Sequence, residues 1–143
     1  MNNKFEKAIS KYSEEKYPLQ ELTGKVIGIC MGVHRQLGHG FLEVVYQDAV
    51  SYELRLNAIP FVREKRFDIN YRGVILQHYY IADFVIADQV ILELKAQSGI
   101  VDENYKQLIN YLVVSKCEYG LLINFGESSL KFKRVILTKN KNL

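Results

Sequence analysis

The sequence predicts an α/β fold: a central mixed sheet of about five strands flanked by helices, in the order α-α-β-β-β-α-β-β. Three observations predict it. Apolar residues recur at steps of three and four early in the chain and again after residue 102, the period of one helix face. Elsewhere lie short apolar or alternating runs rich in Val, Ile, Phe and Tyr, bounded by turn signals, as strands are. The chain has 143 residues, 48% hydrophobic and 24% charged, which suits one domain with a real core.

Residues 1–18 are polar and charged and read as an arm or a short helix, with Pro18 at its end. From Leu19 to Leu37 the apolar positions Leu19, Leu22, Val26, Ile29, Val33 and Leu37 describe one helix face. Thr23, Gly24 and Gly28 weaken its first half, so it is predicted to fray there or begin late. Gly38, His39 and Gly40 stop it. A second helix is predicted from Phe41 to about Asn57. Apolar residues cover more than half its circumference, which predicts thorough burial. Glu43 lies among them. Its charge suits a helix N-terminus, and it can equally point inward at a polar site.

Phe61 to Tyr71 alternates as a strand does, and Arg72 and Gly73 signal a turn. Val74 to Ala87 and Val90 to Ala96 are two further strands around Asp88 and Gln89, completing a meander. After a loop, Asp102 is predicted to cap a helix running to about Ser115, with Leu108, Ile109, Leu112 and Val113 as its core face. Gln107 and Tyr111, four apart, share one flank of it. Tyr119 to Phe125 and Leu130 to Leu137 are the last two strands. The single domain thus spans residues 19–138, and residues 139–143 form a basic tail.

The net charge of +3 is no nucleic-acid signature by itself. Its distribution is uneven: Arg63, Lys65, Arg66 and Arg72 surround the first hairpin, and Lys131, Lys133, Arg134, Lys139 and Lys141 crowd the C-terminus. These can line a phosphate backbone; solvated strand faces and a frayed tail account for them as well. No apolar run is long enough for a transmembrane helix, so no membrane partner is expected. The opening residues lack the apolar centre of a signal peptide. Cys30 and Cys117 stand far apart and read as small buried residues, which makes the cytoplasm the expected location.

The chemistry centres on residues Ile81 to Lys95, where Asp83, Glu93 and Lys95 interrupt two apolar strands. Buried carboxylates are costly unless paired or coordinated. Only residues on one face can share an ion. A two-residue turn at Asp88 and Gln89 would set Asp83 and Glu93 on opposite faces. A three-residue loop, Ala87 to Gln89, sets Ile86 opposite Val90 and Asp83 opposite Glu93. That register gathers Phe84, Ile86, Val90, Leu92 and Leu94 on one side and Asp83, Glu93 and Lys95 on the other, so it is the one predicted. A divalent-metal site and an ion-paired cross-strand ladder both explain the cluster.

Asp83 followed by Glu93, Leu94 and Lys95 resembles the core motif of the PD-(D/E)xK nuclease superfamily, with Ala82 where proline often stands. Gln107 and Tyr111 resemble its Q-x-x-x-Y helix motif. Gly40, Glu43 and Tyr46 are similar to the signature of the small GxxExxY proteins, as are the stretches Val33 to Gly38, Ile91 to Ala96 and Gly120 to Gly126. His39 stands where that family is expected to carry proline. The resemblance covers Glu21 to Leu137. It implies a restriction-endonuclease-like core that hydrolyses phosphodiester bonds in nucleic acid, DNA in preference to RNA. It implies Mg²⁺ or Mn²⁺ held by Asp83, Glu93, Glu43 and the Leu94 carbonyl. Lys95 would act on the attacking water, Gln107 and Tyr111 would orient water or phosphate, and Tyr46 would support Glu43. A homodimer is compatible with cutting two strands. The intact acidic set and lysine favour an enzyme. The short chain, with no separate recognition domain, favours a non-catalytic nucleic-acid-binding or assembly module. Action on a small nucleotide is a third, weaker reading.

Overall fold

Helix α1 spans Tyr17–Leu37 and α2 spans Glu43–Leu56; a computed structural model describes residues 17–137 of the chain. The predicted arm, apart from Tyr17 and Pro18, and the basic tail with Lys139 and Lys141 lie outside the described residues. Proline lacks the N–H that a first turn leaves without an intrahelical partner, so Pro18 opens α1 rather than ending the segment before it. Nor do Gly24 and Gly28 delay the helix. Both face open space, while Val26, Ile27, Cys30 and Val33 are buried. Tertiary packing of that face outweighs the local propensity. The Thr23 hydroxyl donates to the Leu19 carbonyl at 2.8 Å. Gly38, at φ +74, ends the helix by donating its N–H to the His34 carbonyl.

Helix α2 begins two residues later than predicted, and it is less buried. Tyr46, Val50, Ser51 and Leu54 face the core, whereas Phe41, Leu42 and Val44 are exposed, Leu42 by 77%. An apolar majority around a helix does not say how much of it a sheet covers; the spacing 46, 50, 54 does.

Five strands follow: β1 (Phe61–Tyr71), β2 (Val74–Ile86), β3 (Val90–Lys95), then after helix α3 (Asp102–Ser115), β4 (Tyr119–Asn124) and β5 (Lys131–Ile136). The sheet order is β1-β2-β3-β4-β5, with β3 and β4 parallel across α3 and the other neighbours antiparallel. This is the predicted mixed α/β arrangement in the predicted order. β3 and β4 are almost continuously apolar because helices cover both of their faces. Phe84, Ile86, Leu92, Leu94, Leu121 and Ile123 pack with α1 and α2. Val85, Ile91 and Leu122 pack with Leu108, Tyr111 and Leu112 of α3.

α3 departs from the sequence reading at two points. Val101, not Asp102, holds the capping position, and Asn104 Oδ1 accepts its N–H at 2.9 Å. Asp102 and Glu103 sit in the first turn, where acidic charge favours the helix dipole. Leu108 and Leu112 are buried as predicted, but Ile109 and Val113 are exposed and Tyr111 takes their place in the core. Positions 108, 111 and 112 share a narrower stripe than the predicted set.

Beyond β3 the chain is clamped. Phe125 donates its N–H to the Lys95 carbonyl at 2.7 Å. The buried Asn124 amide accepts the Gln97 N–H at 3.0 Å and donates to the Gln97 carbonyl at 2.9 Å, as a neighbouring strand would. Gly126 lies so close to Ala96 and Gln97 that a Cβ would overlap their backbone. Gly126→Ala is therefore predicted to destabilise the fold by about 2 kcal/mol or more, because neither backbone can yield easily. Gly24→Ala, in a helix with open space, should instead add about 0.5–1 kcal/mol. Chemical denaturation of the two variants checks both; equal effects would contradict the close approach at Gly126.

Candidate functional site

The site forms where β2 and β3 part. Their pairing runs from Ile86 opposite Val90 to Phe84 opposite Leu92, so Ala87, Asp88 and Gln89 form a three-residue loop. Ala87 and Asp88 take up positive φ of 51 and 55° there. At the next step, Asp83 beside Glu93, side chains replace the ladder. The Asp83 N–H donates to Glu93 Oε1 at 2.8 Å, and the Leu94 N–H donates to Asp83 Oδ2 at 2.9 Å. Each carboxylate thus holds the other's strand. The arrangement brings Asp83 and Glu93 together, as the three-residue register requires.

Their electrostatics follow from burial. Glu93 is only 3% exposed. Burial, and next the neighbouring Asp83 charge, push its pKa up to about 9; the Asp83 N–H and Lys95 oppose this only in part. Burial also raises Asp83, against the Leu94 N–H, Lys95, Glu93 and Gln47. Glu43, at the start of α2, is raised by burial and by Asp83 and lowered by Lys95. Burial raises the Tyr111 hydroxyl, with Glu93, Asp83, Tyr80 and Glu43 adding to it, so it stays a protonated donor. Lys95 Nζ, at the end of β3, donates to Gln107 Oε1 of α3 at 3.3 Å. Glu43 from one face of the sheet and Gln107 and Tyr111 from the other therefore approach the split where Asp83, Glu93 and Lys95 stand.

The convergence is incomplete in one respect. Among the described residues, no three His, Cys, Asp or Glu side chains are gathered closely enough to hold a metal ion as they stand. Asp83 and Glu93 are the bonded pair; Glu43 is within electrostatic reach and bonds to Gln47 instead, accepting from its Nε2 at 3.4 Å. Leu94 enters the site through its N–H. The donor set nonetheless suits a hard divalent cation. It offers only oxygen, from the buried Glu93 and the half-buried Asp83, and two ionised carboxylates so close together need a counter-charge. With no cation, Glu93 answers by keeping a proton.

Sequence reasoning missed Gln47. It interacts with Asp83 and Glu43, and its Oε1 accepts from Arg63 Nη2 at 3.3 Å. The available signal was its place one helical turn after Glu43. Tyr80, whose ring meets Tyr111 edge-on at 5.4 Å, was also unforeseen as a neighbour of the site. Tyr46 acts one step away. Its hydroxyl donates to the Gly38 carbonyl at 2.6 Å and accepts the Phe41 N–H at 3.2 Å, and its ring stacks on Phe125 at 4.5 Å. It thereby fixes the loop that delivers Glu43. The basic residues are less available than their number suggests. Arg63 pairs with Asp48 at 2.7 Å, and Arg66 pairs with Asp68 at 2.9 Å while lying over Tyr79. Lys131, Lys133 and Arg134 are exposed on β5, which β4 separates from the β3 end of the site.

A family model described as the PD-(D/E)XK nuclease superfamily matches residues 20–135, a span that includes every residue named at the site. No curated protein matches the chain. Among solved structures the chain resembles the crystal structure of SSO0001, with a TM-score of 0.57 and 15% identity over 94% of this chain. It spans 64% of that chain's length. That likeness concerns the fold.

Glu93 sets the pH response. Folded, it keeps its proton up to about pH 9; unfolded, it releases it near 4.5. Between these values the folded state binds more protons, so the metal-free fold loses stability as pH rises through that window. A cation bound at the pair must displace the proton. Calorimetric titration with Mn²⁺ in buffers of different ionisation enthalpy is predicted to register about one proton released per ion near neutral pH. Glu93→Gln should flatten the pH dependence of thermal unfolding and abolish the proton release. Proton uptake, or none, would contradict the assignment.

Proposed function

The chain belongs to the PD-(D/E)XK nuclease superfamily, and from that premise we propose that it hydrolyses phosphodiester bonds in DNA, rather than RNA, with Mg²⁺ or Mn²⁺ as cofactor. One observation carries this reading: the half-buried Asp83 and the buried Glu93, each bonded to the other's strand, stand at the sheet split with Lys95 two residues beyond Glu93. Asp83 and Glu93 would hold the cation, with Glu43 and the Leu94 carbonyl as the further oxygen donors. When bound, the ion supplies a lowered water pKa and polarises the scissile phosphate.

The protein's own groups do the rest. Lys95 Nζ, anchored on Gln107 Oε1, orients the attacking water and offsets negative charge on the phosphate oxygens. Gln107 aims that amine. The Tyr111 hydroxyl, which keeps its proton, donates to a phosphate oxygen or to the water. Glu43, raised by burial, accepts a proton or a water-mediated metal contact. Gln47 holds Asp83 and Glu43 in mutual position.

The finer family placement, among the small GxxExxY proteins, is supported by the way the three signature residues act as one unit. Gly40 lies in the loop that Tyr46 ties down, and Glu43 starts the helix that leaves it. Two free, buried cysteines, Cys30 and Cys117, suit the reducing cytoplasm. A homodimer would give two such sites for two strands.

Cleavage of linear, nicked and branched DNA and of RNA, with Mg²⁺ or Mn²⁺ and with chelator, tests the reading. Asp83→Asn, which keeps an acceptor for the Leu94 N–H, and Lys95→Ala are each predicted to lower the metal-dependent rate at least ~100-fold. Gln107→Ala should cost less, about tenfold, by loosening Lys95. If the wild type cleaves none of these substrates yet binds them, the second reading, a non-catalytic binding module, replaces the first.

A further inference from the structure

Within β1, Glu64 takes a positive φ of 55°, a costly conformation for a residue with a side chain. The β1–β2 pairing passes over it: Arg63 faces Phe84 and Lys65 faces Ala82, while Glu64 and Asp83 do not pair. Both strands turn over at that step. Phe61 and Phe84 pack with α1 and α2, whereas Phe67 and Ala82 pack with α3. In regular strands the alternation of side chains would keep Phe61 on the face of Phe67, and Ala82 on the face of Phe84. Arg63 is therefore the last residue of β1 on the α2 side, one residue before the step at which Asp83 stands.

Its side-chain hydrogen bonds run to α2. Nη1 donates to Asp48 Oδ1 at 2.7 Å and to Ser51 Oγ at 3.5 Å, and Nη2 donates to Gln47 Oε1 at 3.3 Å. Nε is buried and has no partner among the described residues. A guanidinium held in this way offers little to a phosphate backbone. It does impose a direction on its neighbour. Arginine has five donors and no acceptor, so the Gln47 amide turns its oxygen toward Arg63. The Nε2 donors then point the other way, where Glu43 Oε1 accepts at 3.4 Å and the same side chain favours the charged form of Asp83. The buried Ser51 hydroxyl donates to the Gln47 carbonyl at 2.9 Å and completes the frame.

We propose that Arg63 is a positioning residue of the cation site: it fixes the Gln47 amide with its donors toward Glu43 and Asp83 and its oxygen away from the ion. The role rests on the nuclease reading, which supplies the cation. An amide without that constraint is free to turn over. Its oxygen then competes as a ligand, or meets the carboxylates oxygen against oxygen, and either disturbs the set of donors. Groups one bond outside a metal ligand typically change metal affinity by about 10–100-fold. An Arg63 that merely tied β1 to α2 through Asp48 would affect stability and leave the amide alone.

Calorimetric Mn²⁺ affinity of the full chain, with no nucleic acid present, is the test. Arg63→Met and Gln47→Met are each expected to weaken binding about tenfold or more, with folding checked by circular dichroism. The double variant should bind no more weakly than Gln47→Met, because Arg63 acts through that amide. The metal-free wild type gives a second readout that needs no variant to fold. Nuclear Overhauser contacts should run from the Gln47 Nε2 protons to Glu43 and Asp83 rather than to the Arg63 side chain. Losses that add in the double variant would make Arg63 a strut between β1 and α2 and overturn the proposal, as would amide contacts of the opposite sense. If the wild type binds Mn²⁺ and Arg63→Met binds it equally well, the proposal falls while the metal reading stands; a matching loss of DNA affinity in chelator would then assign Arg63 to phosphate. A wild type that binds no Mn²⁺ ends the metal reading, and this role with it.

Discussion

The burial of Glu93 beside Asp83 is the constraint on which the rest depends. Two carboxylates in the interior of a sheet are unfavourable unless their charge is balanced. Here the sheet opens at that point. β2 and β3 stop exchanging backbone hydrogen bonds after Phe84 and Leu92, and each strand's free N–H turns to the other's carboxylate. The acids are thus part of the sheet's own hydrogen bonding. Their remaining charge is what a cation, a proton or Lys95 must answer.

The helices are arranged around that opening. α2 lies on one face and α3 on the other, so no single helix can supply the site. The loop before α2 is tied by Tyr46 to Gly38 and Phe41, and the Tyr46 ring is held on Phe125. Phe125 in turn bonds to the Lys95 carbonyl. One chain of contacts therefore links the start of α2, the end of β4 and the end of β3. Glu43 and Lys95 are positioned by the same core residue from opposite sides. Close packing at Gly126 against Ala96 and Gln97 completes the clamp.

Much of this was legible. The strand and helix order followed from periodicity, and the β2–β3 register followed from requiring that apolar and polar residues separate. Gln107 and Tyr111 were placeable because four residues make about one helical turn. What misled was composition without a partner in view. The apolar start of α2 predicted burial, yet Phe41, Leu42 and Val44 are exposed. Ile109 and Val113 fit the apolar period of α3, yet Tyr111 occupies that core. Four cations around the first hairpin looked available, but Arg63 and Arg66 are engaged with Asp48 and Asp68. Gln47 carried no motif and emerged only from its neighbours.

The sequence by itself determined which segments are helix or strand, and which strand must carry Asp83, Glu93 and Lys95, because side-chain period and the cost of burying charge act locally. Tertiary structure alone decided how far each face is covered, which cations are already paired, and that β3 is too short to shelter β2. Those depend on the distance between elements far apart along the chain, and no local period encodes that distance.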